Sequence, residues 1–203
     1  MFVLCIVGKS ASGKDTLVNN LLKNCTTAIQ KAVSYTTRPR REGEVDGIDY
    51  HYVTVEQFQK MKDENKFIEE TSYNVNGETW YYGFTKDTFT NYPGITIAII
   101  NPRGLEALVK DEELREHMAV LYLVANEEIR KDRYYKRDSA LEKDTIRARW
   151  FARVKQDRED FNKINKLIDR NNIECVYMDT SHMNIQNMVA AAMHVIGNRN
   201  KIK

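Results

Sequence analysis

Four stretches of the chain are apolar at nearly every position, and the segments between them are mainly charged or polar. The run FVLCIV at 2–7 reads as a buried strand, followed at once by a glycine-bearing loop and then by a helix over 15–23. ITIAII at 95–100 and MAVLYLV at 118–124 are apolar throughout, which suits central parallel strands covered on both faces. IECVYMD at 173–179 reads as a last strand, and 184–195 as a closing helix. This alternation predicts an α/β fold, a central parallel sheet flanked by helices. Between 34 and 83 the texture changes. Aromatic and polar residues alternate around turn signals at Asp46-Gly47 and Asn76-Gly77, which predicts a small, mainly antiparallel lobe. From 127 to 170 the chain is densely charged and helical, and the final GNRNKIK is expected to fray.

A length of 203 residues suits one α/β domain carrying inserted lobes. With a net charge of only +2, bulk electrostatics gives no reason to expect a nucleic-acid polymer or a membrane as partner, so any cationic site must be local. The cysteines Cys5, Cys25 and Cys175 are few, odd in number and lack metal-ligand spacing, which favours a reducing, cytoplasmic setting. The first apolar run is too short for a signal peptide or a membrane span.

The loop GKSASGKDT, spanning Gly8, Lys9, Ser10, Ala11, Ser12, Gly13, Lys14, Asp15 and Thr16, nearly matches G-x-x-x-x-G-K-[ST]. Placed between a strand and a helix, its backbone N–H groups suit a phosphate of ATP, with Lys14 reaching the β- and γ-oxygens. Asp15 stands where the hydroxyl ligand of Mg²⁺ usually falls, and Thr16 follows. Oxygen donors suit Mg²⁺, so Asp15 is the candidate metal ligand, directly or through water. Downstream, Arg38, Arg40 and Arg41 cluster around Pro39, and guanidinium forks suit bidentate phosphate binding. Tyr50 and Tyr52 alternate along the next segment and add phenolic donors.

The string SYTTRPRREGEVDGIDYHYVTVEQFQKM at 34–61, then FIEE at 67–70 and YYG at 81–83, resembles the acceptor-binding lobe of the guanylate kinases. RYYKRDS at 133–139 is similar to that family's lid. The resemblance implies a P-loop NTPase fold, with a core of about 1–33, 95–126 and 151–197, an inserted nucleoside-monophosphate-binding lobe of about 34–90 and a helical lid of about 127–150. It implies phosphoryl transfer from ATP, with Mg²⁺, to a (deoxy)nucleoside monophosphate, GMP or dGMP first. By the same analogy Arg38, Arg41, Tyr50 and Tyr82 hold the acceptor phosphate, while Ser34, Glu69 and Asn101 face the base. Lys14 and Arg137 are catalytic, Arg133 binds ATP phosphates, and a further arginine is either Arg153 or Arg149, one helical turn apart.

Departures from the pattern gather around the base. The hydroxyl residue after Y-Y-G is replaced by Phe84, with Thr85 one step on, and the paired carboxylates of the third core strand are replaced by Ile99 and Asn101. The stretch TSYNVNGETW at 71–80 contains extra residues, enough for a longer hairpin. These changes leave open another nucleoside monophosphate as acceptor. Ribose 1,5-bisphosphate is also open, because the phosphokinases that act on it resemble this chain in a GKD loop. A noncatalytic guanylate-kinase-like binding module is a further alternative.

Overall fold

The computed structural model describes residues 1–24, 28–75 and 77–199. Cys25, Asn76 of the expected turn and the last four residues of the expected frayed tail lie outside the described residues. In chain order the elements are β1 (Phe2–Gly8), α1 (Lys14–Asn24), β2 (Ile29–Lys31), β3 (Tyr35–Thr36), β4 (His51–Tyr52), α2 (Val55–Asp63), β5 (Phe67–Val75), β6 (Glu78–Thr85) and α3 (Asp87–Thr90). They continue through β7 (Ile95–Ile99), α4 (Pro102–Leu108), α5 (Glu112–Glu116), β8 (Met118–Val124), α6 (Glu127–Arg137), α7 (Lys143–Phe161), α8 (Ile164–Arg170), β9 (Cys175–Asp179) and α9 (Ile185–Arg199).

The core sheet has the order β2-β7-β1-β8-β9 and all of its pairings are parallel. Its middle strand shows why the sequence carries a continuous apolar run. Val3, Cys5 and Val7 pack on one face with Leu105, Leu108, Ile164 and Ile168, while Leu4 and Ile6 pack on the other with Leu17, Leu21, Met188 and Ala192. A strand buried on both sides has no polar face to show. The edge strand β2 is three residues long and has no sequence signature of that kind. At the other end of the sheet, β9 starts two residues later than its apolar run, and α9 runs four residues past the expected Val195.

A second sheet, β4-β3-β6-β5, is antiparallel at β3–β6 and β5–β6 and parallel at the short β3–β4 pair. Helix α2 covers it. Thr54 accepts from the Gln57 N–H and Gln57 accepts in return from the Thr54 N–H, a capping box that fixes where the helix starts. Phe58 then stacks on Phe67 at 4.3 Å and lies 5.5 Å from Tyr81. A third, smaller apolar cluster joins α6 to α7 through Tyr134, Ile146, Trp150 and Val154. Among the described residues no helix is long and apolar enough to cross a membrane.

Candidate active site

The loop that leaves β1 turns through left-handed backbone at Ala11 (φ 59°) and Gly13 (φ 97°). Glycine meets that demand freely, whereas alanine costs about 1 kcal/mol or more. Ala11 is seated against the α6–α7 cluster. Lys14 opens α1 and its ammonium turns back to donate to the carbonyls of Gly8 at 2.7 Å and Lys9 at 3.1 Å. Burial pushes Lys14 down to about 8, helped by the charges of Arg153 and Arg130 and opposed by Asp15 and Asp157.

The two candidate arginines of α7, Arg149 and Arg153, are both exposed and make no hydrogen bond or ion pair among the described residues; the charge of Arg153 reaches Lys14. Arg137 is exposed, pairs with Asp138 at 2.7 Å and lies over the Tyr134 ring at 4.5 Å; the charge of Asp15 reaches it. Arg133 points into the segment after β9, donating to the Thr180 carbonyl at 2.6 Å. Thr180 in turn donates to the Ser12 carbonyl at 2.8 Å, so Arg133 meets the loop through an intermediary.

In the second sheet's margin, Arg38 is buried and forms a two-point pair with Glu44 at 2.8 and 3.0 Å. Glu44 also accepts from the Arg41 N–H at 2.8 Å and the Tyr52 hydroxyl at 2.7 Å. Chiefly because of the Arg38 bond, its carboxyl is held down at about 2. Tyr50 lies under the Arg38 guanidinium at 5.0 Å and edge-on to Tyr82 at 5.9 Å. Arg41 itself is exposed. The structure thus groups Arg38, Tyr50 and Tyr82 in one cluster, with Arg41 at its rim.

Ser34 ends the segment before β3, its carbonyl accepting from the His51 N–H at 2.9 Å. Glu69 sits on β5 and is 8% exposed. Desolvation, with help from the Glu70 charge, raises its carboxyl to about 7. It packs against the start of α4, where Gly104 permits the approach: a Cβ there would lie 2.5 Å from Ile100 and 3.3 Å from Glu69. Asn101 caps that helix, its side-chain oxygen accepting from the Gly104 N–H at 2.8 Å. One lone pair of that oxygen is committed to the helix, while its second lone pair and the N–H₂ donor make no bond among the described residues.

No group of three or more His, Cys, Asp or Glu side chains that would hold a metal alone occurs among the described residues. Asp15 and Thr16 are exposed oxygen donors in the first turn of α1. One carboxylate, one hydroxyl and substrate phosphates form a donor set of the type Mg²⁺ accepts. The residues fit the ion.

Arg130 and Asp157, both buried, also reach the loop, at Ser10, and were not among the candidates drawn from sequence. A signal existed. Ile146, Trp150, Val154 and Asp157 follow one another at spacings of four, four and three, so a carboxylate continues the apolar stripe of α7.

Residues 1–93 match the family model described as guanylate kinase. The chain is similar to the guanylate kinase of Schizosaccharomyces pombe, 52% identical over 64 residues that cover 32% of each protein. It is also similar to that of Rhodopirellula baltica, 34% identical over 116 residues covering 56% of this chain and 54% of the relative. The matched stretches therefore span from about a third to about half of these curated relatives. In fold, the chain resembles the crystal structure of guanylate kinase from Anaplasma phagocytophilum, with a TM-score of 0.65 and 20% identity, over 100% of this chain and 87% of that one.

Proposed function

Because its first 93 residues match the guanylate kinase family model, we propose that the chain transfers a phosphoryl group from ATP to a (deoxy)nucleoside monophosphate, with GMP or dGMP preferred. The observation that carries this is the presence in one chain of two separately built groupings suited to phosphates. One is the Gly8–Thr16 loop with Lys14, and the other is the buried Arg38 with Tyr50 and Tyr82. A binding module that recognised a protein ligand would have no use for the first. The proposed setting is the cytoplasm, in keeping with free thiols at Cys5 and Cys175.

In this proposal the attacking monophosphate oxygen is already ionised, so no protein base is required. Loop N–H groups and Lys14 bind the donor phosphates, and Arg137 and Arg153 bring further positive charge to the transferring group. Arg38, Arg41, Tyr50 and Tyr82 orient the acceptor phosphate, and approach of the two lobes excludes water from the path. Asp15 and Thr16 would hold Mg²⁺, which when bound neutralises charge on the nucleotide phosphates. Glu69 and Ser34 would face the base, guanine presenting adjacent N–H donors that suit a carboxylate.

The capping role of Asn101 supports a second reading, in which base choice is broader than guanine. ADP release measured across the common ribo- and deoxymonophosphates, with ribose 1,5-bisphosphate included, distinguishes the two. GMP and dGMP should give the highest kcat/KM. Comparable values for several bases would favour the broad reading, and no turnover with any acceptor would defeat both.

A further inference from the structure

One ion pair, drawn from two helices far along the chain, holds every polar atom of Ser10. The Ser10 N–H donates to Asp157 Oδ2 at 3.0 Å, and its hydroxyl donates to Oδ1 at 3.1 Å. Its carbonyl accepts from Arg130 Nη1 at 3.1 Å, and the same nitrogen reaches Asp157 Oδ2 at 3.1 Å. Arg130 lies on α6 and Asp157 on α7, their side chains only 4% and 9% exposed. Trp150 lies 5.5 Å from the guanidinium, and the next loop residue, Ala11, packs on the same α6–α7 cluster.

Stability alone does not account for these charges. Buried pairs contribute little over well-packed apolar residues of similar size, and leucine or alanine would continue the apolar stripes that surround them. Nor is the pair self-sufficient, since Arg130 Nε is buried without a hydrogen-bond partner. What the pair does accomplish is the complete capture of one loop residue. Both Asp157 oxygens are spent on Ser10, and the cation beside them closes the third bond. On the far side of the turn, Ser12 is gripped at its carbonyl by Thr180. The loop is therefore held at two points from outside.

We infer that the Arg130–Asp157 pair is a positioning device for the donor site, fixing Ser10, and with it the turn that leads to Lys14, against the helices that carry Arg133, Arg137 and Arg153. The inference deepens the kinase proposal and rests on it. Neither residue is a catalytic group, because each acts through Ser10. Affinity for ATP then depends on two side chains that do not touch it, and the loop and the cationic helices are set relative to each other before ATP arrives.

The test removes both charges together, so that no lone ion is left buried. The double variant Arg130→Leu/Asp157→Ala is compared with wild type in three measurements: amide exchange at Ser10–Gly13 without ligand, ATP affinity by calorimetry, and the kinetics of the acceptor that turns over. Loop exchange should rise by about tenfold or more with the melting temperature retained. The ATP dissociation constant should weaken by about tenfold, while acceptor KM stays within about twofold. If the double variant does not fold, Asp157→Asn, which keeps the shape but turns an N–H₂ toward one Ser10 donor, carries the same comparison. A folded variant with wild-type loop exchange, wild-type ATP affinity, or an acceptor KM that rises in parallel overturns the inference. Wild-type protein that binds no ATP overturns the kinase proposal itself and the device with it, a failure visible before any variant is made.

Discussion

Two arginine–carboxylate pairs among the described residues are built in opposite ways: Arg130 and Asp157 are both buried, whereas Arg38 is buried and its partner Glu44 only half-buried. Arg38 and Glu44 are six residues apart, and the tyrosines that enclose them, Tyr50 and Tyr52, follow within eight more. Arg130 and Asp157 are 27 residues apart on different helices, and the loop residue they hold lies 120 residues before the first of them. Desolvating Arg38, Arg130 and Asp157 costs several kcal/mol per ion before attraction returns any of it. In the first case a local turn concentrates the returns: Glu44 collects Arg38, the Arg41 N–H and the Tyr52 hydroxyl within one short segment. In the second the returns depend on the whole fold bringing β1, α6 and α7 together. The cation of the proposed acceptor side is thus pre-formed by its own segment, and the proposed donor side is assembled by tertiary structure.

The largest break in this comparison comes from Lys14→Ala. It should lower kcat by about a thousandfold, the scale of losing a group that stabilises transition-state charge, with little change in melting temperature. Lys14 is a half-buried ammonium held below its ordinary value, so its removal takes away a desolvation cost along with two hydrogen bonds. Steady-state kinetics beside a thermal melt checks both halves. On the other side, Glu44→Gln leaves Arg38 buried without its two-point partner. Acceptor KM should rise by between about tenfold and a hundredfold while ATP KM moves little. Equal changes in both constants would show that the two sites are not separately built.

That difference in construction explains what could be read from the sequence. β1 and the glycine turn are contiguous, so the loop was legible, as were the arginine cluster at 38–41 and its tyrosines. The roles of Arg130 and Asp157 were not, because each lies in a helix crowded with like side chains. Among Lys155, Arg158, Glu159 and Asp160, the buried carboxylate differs only in its place on the stripe of Ile146, Trp150 and Val154. The three-residue β2 escaped for a related reason, since its pairing with β7 is the only thing that makes it a strand. Asn101 was visible as a departure, but its capping bond to Gly104 depends on where α4 begins.

The two sides should also respond to pH in opposite directions. On the donor side, Lys14 loses its proton above about 8, so ATP affinity should fall as pH rises past that value. The groups acting on it are Asp15, Asp157, Arg153 and Arg130, and the double variant removes one of each sign. On the acceptor side, burial raises Glu69 from 4.5 to about 7. The folded protein keeps that proton where the unfolded chain has lost it, so the desolvation cost to stability appears as pH rises through this window. A donor-bearing base needs the ionised form. Acceptor affinity should therefore strengthen by up to about tenfold between about pH 6 and about pH 8, and Glu69→Gln should flatten the profile. Calorimetry of each ligand alone separates the two trends.

The smallest expected effect, and the finest division of the site, belongs to Asp15→Ala. Asp15 lies in the first turn of α1, exposed, with no hydrogen bond or ion pair to its carboxylate among the described residues. Loss of its charge at a helix N-terminus costs the fold no more than about 1 kcal/mol. Its charge reaches Lys14 and Arg137, both on the proposed donor side. The concentration of Mg²⁺ giving half-maximal activity should rise by about threefold, with acceptor KM and acceptor preference unchanged. Without Asp15, Lys14 also loses a neighbour that favours its charged form, so the fall in ATP affinity should begin at lower pH than in wild type. A variant in which acceptor preference moves and the Mg²⁺ requirement does not would mean that Asp15 serves the acceptor, and that the two sides meet at α1.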